Sequence, residues 1–314
     1  MNRIIRTEIS ALFGMDSGDD IVSDTHIGDG VYLQDLVVND KVEELFQQVK
    51  SQNPEDYKRL LCRQSLEVTA LRYTHRFYIS FDAVSSSHRD KVRHARELIM
   101  RAIVLSRIVK PLPIPSHPTT ILTTDGESQL EIQIGFYGTA YVVRRPFQET
   151  ITHADIDLIA KLWPASQYFY DNRRQYQRLF RALITYNDAY HIPLSHVRHV
   201  VLHSALETLI CASHRNNKNQ VVYRLPQLVD EITQEQATEI YDLCADVKHT
   251  AAPALLDSEN SRELDKRNSK RYEATRCLDE SLRKLFIRAL DDRSFARELE
   301  DKSILETKYH VPGK

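Results

Sequence analysis

The chain has 314 residues, of which 42% are hydrophobic and 27% charged, the balance of a globular protein long enough to build two cores. Its formal net charge of −2 argues against wholesale attraction to a polyanion, so contact with nucleic acid would have to come from a local basic patch. Its 8 glycines form neither G-x-x-x-x-G-K nor G-x-G-x-x-G, and H-E-x-x-H and G-x-S-x-G are absent, which stands against nucleotide-driven motors, dinucleotide oxidoreductases and standard serine hydrolases.

Residues 1 to about 50 read as a polar, Asp-rich lead-in with two short apolar runs. The opening MNRIIRTEISALFGMDSGDD lacks the apolar core of a signal peptide, and no run reaches bilayer length, so a cytoplasmic protein without a membrane partner is expected. Within this segment SDTHIGDG (23–30) carries the D-x-H of metallophosphoesterases. The companion G-N-H-[DE] and G-H-x-H elements are missing, and the stretch is read as an Asp/Gly-rich loop. FYISFDAV (77–84) predicts a strand. RDKVRHARELIMRAIVLSRIVK (89–110) predicts a helix with Val92, Ala95, Ile99, Ala102 and Ile103 on one side, ended by the prolines of PLPIPSHP (111–118). TTILTTDG (119–126) then leads through an Asp-Gly turn into QLEIQIGFYG and TAYVVRRPF, where Leu130, Ile132, Ile134 and Phe136 alternate as in a half-buried strand. A small α+β domain over 1–148 is expected.

From Ile151 onward strand signals nearly vanish, and an all-α bundle is expected over 149–304, followed by a tail at 305–314. RRQYQRLFRALITYNDAY (173–190) places Tyr176, Leu179, Phe180, Leu183 and Tyr186 on one face. SHVRHVVLHSALETLICA (195–212) is apolar around most of its circumference, as a central helix of a bundle would be. YRLPQLVDEI, TQEQATEIYDLCADVKH and one long amphipathic run from about Arg262 to Glu300 complete the set. Cys62, Cys211, Cys244 and Cys277 form no C-x-x-C pair and are expected as reduced thiols.

Four stretches of this second half resemble, in order, the HEPN superfamily, most closely its ApeA-like bacterial branch. RALITYNDAYHIPLSHVRHVVLHSALETLI is similar to the helix pair ending in the "ALE-x-L" element, here Ala205, Leu206, Glu207 and Leu209. VVYRLPQLV carries the "YR" pair, Tyr223 and Arg224. IYDLCADVKH is similar to "YDLRSxxVH", with Asp242 and, at the family histidine, His249; LRKLFIRALDDRSFARELED fits the closing helix. The resemblance implies a homodimer joined through the helical domain, a role in bacterial antiviral defence or toxin–antitoxin systems, and metal-independent endoribonuclease chemistry by R-x(4–6)-H motifs. In that chemistry histidine moves a proton and arginine holds the scissile phosphate with its fork. No cofactor and no metal are expected.

The departure from the family pattern lies five positions before His249, where Cys244 replaces arginine. A neutral thiol cannot replace a guanidinium, and losing one such donor commonly costs on the order of 10²–10³ in rate. Lys248, one helical turn from Cys244, would bring a point charge without the fork. RHVVLH offers a second match, Arg198 with His203, on the wrong helix; RDKVRH (Arg89, His94) is a third, and such matches are expected by chance.

His196, His199, His203 and Glu207 form a stripe that could hold a transition metal through imidazoles at i and i+4, or a hydrogen-bonded seam, the expected arrangement. Glu207 and Arg224 are read as a structural pair, a buried carboxylate satisfied by a buried guanidinium. The basic run Arg262, Lys266, Arg267, Lys270, Arg271 and Arg276 reads either as an RNA-contacting edge, helped by the HRNNKN loop (214–219), or as a solvated helix face. The functional readings left open are an RNA-acting HEPN-type protein, a catalytically dead module binding RNA or a protein partner, and an adaptor whose first domain senses a ligand.

Overall fold

The structure, a computed structural model, describes residues 4–13, 25–35, 51, 75–84, 86–111, 120–124, 130–131, 151–190, 192, 195–213, 215–249 and 261–312. The side chains of 4–6, 12–13, 35, 75–76, 120–124, 130–131, 195, 248–249 and 261–268 lie outside the described set. The chain divides into two compact units, Met1–Pro164 and Ala165–Lys314. The order is α+β and then helical, as the sequence predicts.

The first unit is built on six antiparallel strands in the order β2-β3-β4-β1-β5-β6. They are β1 (Ile4–Phe13), β2 (Thr25–Gly28), β3 (Val31–Asp35), β4 (His75–Val84), β5 (Thr120–Thr124) and β6 (Leu130–Glu131). The polar lead-in of the sequence reading is thus corrected, because β1 pairs with β4 along its length and with β5 on its other side. Its period-2 pattern buries Thr7, Ile9 and Ala11 on one face. SDTHIGDG is likewise no plain loop: Thr25–Gly28 is a strand, and Asp29 (φ 45°) and Gly30 (φ 78°) make the left-handed pair of a tight hairpin turn. Its His26 is exposed and lies against Tyr32, which stacks on Tyr78 across β3 and β4.

Helix α1 (His88–Val109) covers this sheet with Ala95, Leu98, Ile99, Ala102 and Ile103 buried, close to the predicted stripe. A hydrogen bond of 2.8 Å between His88 Nε2 and Thr7 Oγ1 ties its first turn to β1. The PLPIPSHP breaker beyond Pro111 and the expected strands over 132–150 fall outside the described residues. Helix α2 (His153–Asp171) follows, and Pro164 within it marks the division between the units.

The second unit comprises α3 (Gln177–Ala189), α4 (Ser195–Ile210), α5 (Asn217–Leu228), α6 (Gln234–His249), α7 (Ser261–Asp291), α8 (Arg293–Glu300) and α9 (Lys302–Lys308). As its all-round apolar sequence predicts, α4 is central and packs on α3, α5, α6, α7 and α8. Three corrections concern boundaries. The expected run to Glu300 is two helices, because Asp292 accepts from Ser294 N and caps a new one. HRNNKN is a loop only in part, since Asn217, Lys218 and Asn219 form the first turn of α5. The stretch read as a tail contains α9, and Leu305, Tyr309 and Val311 are buried. Among the described residues no helix is long and apolar enough to cross a membrane.

Candidate functional site

Helix α6 starts on a reciprocal cap: Thr233 N donates to Gln236 Oε1, and Gln236 N to Thr233 Oγ1. Its inward stripe is Ala237, Ile240 and Cys244, with exposures of 0, 1 and 2%. Cys244 therefore faces the bundle interior. Lys248 and His249 close the helix, and their side chains lie outside the described residues. At 100° per residue His249 lies about 140° around the helix from Cys244 and in line with Asp242, two turns back.

Three geometric contacts fix how α6 and the residues before it, from the end of α5, run against α7. Arg288 Nη1 donates to Leu228 O (3.3 Å), and Lys284 Nζ bonds Glu231 Oε1 (2.9 Å). The Cys277 thiol, pushed up by burial and by the carboxylates of Glu280 and Glu273, also feels Glu239. His199 of α4 bridges Ile240 O and Thr275 Oγ1. Numbers fall on α7 as they rise on α6, so the two are antiparallel.

The second motif does not form a site. Arg198 is 7% exposed; its Nε donates to Ala189 O (3.1 Å) and its Nη2 to Ile192 O (3.3 Å), over the Tyr190 ring. It satisfies orphan carbonyls where α3 ends, a structural task. His203 is fully buried on a different side of α4, edge-on to Tyr241 and 3.8 Å from Glu207 Oε1. The two side chains of the motif are thus separated.

The Glu207–Arg224 pairing is also corrected. Glu207 accepts from Asn217 Nδ2 (3.0 Å) beside His203. Arg224, fully buried, donates to Ile210 O (2.8 Å), Gln220 Oε1 (2.8 Å) and Tyr309 O (3.2 Å), pinning the end of α4 and the C-terminal strap. The neighbouring Tyr223 is half-buried, and its carbonyl accepts from Gln227 Nε2. Asp242 pairs with Lys218 at 2.6 Å, a half-exposed tie between α5 and α6. Glu207, Arg224 and Asp242 thus each hold a partner within the helical unit.

Of the histidine stripe, His199 is a seam residue. Its Nε2 lies 2.9 Å from Ile240 O and its Nδ1 3.1 Å from Thr275 Oγ1, and burial lowers its pKa to about 4. Among the described residues no three His, Cys, Asp or Glu side chains gather as a metal site requires. The basic run divides: Arg276 is taken by Glu273 and Glu280, Lys270 is exposed and Arg271 half-buried. The side chains of Arg262, Lys266 and Arg267 lie outside the described residues.

Sequence reading missed a buried relay in the same unit. Tyr186 and Tyr190 share a hydrogen bond of 3.0 Å, Tyr190 Oη donates to Asp279 Oδ1 (2.9 Å), and Arg283 Nε donates to Asp279 Oδ2 (3.1 Å). Burial raises the Asp279 pKa against the opposing Arg283 charge, and holds both tyrosines well above their usual range. The i,i+4 spacings of 186/190 and 279/283 were its only sequence signal. No family model, curated protein or solved structure matches the chain.

Proposed function

We propose that the helical unit is a HEPN-like module of a bacterial defence or toxin–antitoxin protein, binding RNA without cutting it through an arginine and a histidine of one helix. One observation carries this reading: Cys244, at the arginine position, is 2% exposed on the inward stripe of α6. Neither a fork nor a solvent-facing cation stands there. The substitute offered by the second motif is no better, since Arg198 is committed to two backbone carbonyls. Of the other cations, Lys270 is exposed and Arg271 half-buried, within reach of a polyanion. Two copies meet through the helical unit in this reading, as the resemblance implies.

The test is incubation of the purified protein with a mixed single-stranded RNA pool in EDTA, beside His249→Ala, with binding followed by fluorescence anisotropy and cleavage by denaturing gel. The expected result is binding by both proteins and no His249-dependent cleavage. RNA turnover lost in His249→Ala would overturn the non-cleaving reading. Absence of RNA binding would overturn the RNA reading and turn attention to protein partners.

A further inference from the structure

We propose that the outward face of α3, with the half-buried stripe of α4 at the same level, is where a second copy of this chain docks, about a two-fold axis at Ile184 that sets Arg181 of each copy against Asp188 of the other. The inference rests on the dimer in the reading above and names the face that forms it; it does not depend on RNA.

Ile184 is 47% exposed, the most open large hydrophobic side chain among the described residues. It lies on the α3 stripe directly opposite the core, with exposed Arg181 three residues before it and exposed Asp188 four residues after it. The register of α3 against α4 is fixed at both ends. Arg178 Nη2 donates to Leu209 O and Cys211 O (2.9 Å each), and Arg198 Nε donates to Ala189 O (3.1 Å). Between these anchors Ile184 falls level with Ser204. There α4 carries a half-buried stripe of its own, Val197, Val201, Ser204 and Thr208, at intervals of four, three and four. Its two hydroxyls are spent within the helix, Ser204 Oγ donating to Val200 O (3.0 Å) and Thr208 Oγ1 to Ser204 O (2.8 Å). The stripe can therefore be covered without stranding a donor.

Charge names the occupant. Among the described residues no ion pair or side-chain hydrogen bond reaches Arg181 or Asp188, in contrast to Arg276 and Arg283 elsewhere in the bundle. At the helical rise Arg181 stands about 4.5 Å before Ile184 along the axis and Asp188 about 6 Å after it. A two-fold axis through Ile184 reverses the second helix, so Arg181 of one copy and Asp188 of the other come within about 1.5 Å of the same level, and the contact is made twice. An apolar centre rimmed by one cation and one anion is thus its own complement, as an isologous contact requires. With the two charges cancelling, the face offers no net attraction to a polyanion or to an anionic lipid surface.

The experiment is sedimentation velocity of the full chain across a concentration series, with circular dichroism to confirm folding. It compares wild type with R181D, D188R, the double variant R181D/D188R, I184E and the control D230R, an exposed charge on the turn before α6. Wild type is expected to dimerise. Each single charge reversal sets like charges together at both contacts and is expected to weaken the dimer at least about tenfold, as is I184E. The double variant is expected to recover it. An equimolar mixture of R181D and D188R is also expected to recover it, because the mixed pair has opposite charges at both contacts. This mixing test uses only exposed positions and does not depend on I184E folding. A wild-type dimer that survives R181D, D188R and I184E unchanged, that D230R weakens equally, or that neither the double variant nor the mixture restores, would overturn the proposed face and leave the dimer standing. A wild type that is monomeric throughout would overturn both, and leave RNA binding to its own test.

Discussion

The histidine seam makes a quantitative prediction about the packing of α4, α6 and α7. His199 is fully buried, and a backbone carbonyl can only accept, so Nε2 carries the proton toward Ile240 O and Nδ1 accepts from the Thr275 hydroxyl. That hydroxyl otherwise back-bonds to Arg271 O at 2.8 Å, so its one proton is contested. With a folded pKa of about 4, His199 stays neutral where an unfolded histidine, at about 6.5, already takes a proton. The unfolded chain therefore binds more protons between these values. Stability from this group is complete above about pH 6.5 and is lost as the pH falls toward 4, for a total of roughly 3 kcal/mol and about 2 kcal/mol between pH 7 and pH 5. Urea denaturation at the two pH values, with His199→Gln as the non-titrating reference, isolates the group from other histidines. Wild type is expected to lose about 2 kcal/mol more than the variant over that interval. Parallel losses would refute the neutral, doubly hydrogen-bonded assignment.

Arg224→Met leaves the buried carbonyls of Ile210 and Tyr309 without their donor, at about 1–3 kcal/mol each, so a loss of roughly 3 kcal/mol or more is expected in the same denaturation assay. A loss below about 1 kcal/mol would show that the C-terminal strap is not held this way. Cys244, at 2% exposure, is expected to resist iodoacetamide in the native protein and to be labelled on unfolding. Peptide mass spectrometry checks this site by site, and rapid native labelling would place the thiol at the surface.

Much of the architecture was legible because it rests on periodicity. The central position of α4 follows from its apolar circumference, and α1 from the three/four spacing of Ala95, Ile99, Ala102 and Ile103. The misses occur where short polar chemistry decides. Nothing in the pattern of Arg262 to Glu300 announces a break, yet Asp292 takes the Ser294 N–H and starts a new helix. Ile4–Phe13 alternates as a strand should, but its charged residues obscured a pattern that pairing on both sides rescues. Pair partners were the least legible part. Which buried acceptor a guanidinium such as that of Arg224 meets depends on the register of three helices, and a single sequence carries no such information.

That register also supplies a physical reason for the cysteine. Position 244 lies against α4 and α7 on the stripe begun by Ala237 and Ile240, and it is almost fully enclosed. An arginine there would need a buried acceptor set like the one around Arg224, and one seam carbonyl, Ile240 O, is already engaged by His199. Left unpaired, a buried guanidinium would cost several kcal/mol. Close packing of α6 is therefore compatible with a small, weakly polar side chain at 244 and incompatible with a phosphate-binding fork. On α7 the seam opens between Ala274, 8% exposed, and half-buried Arg271.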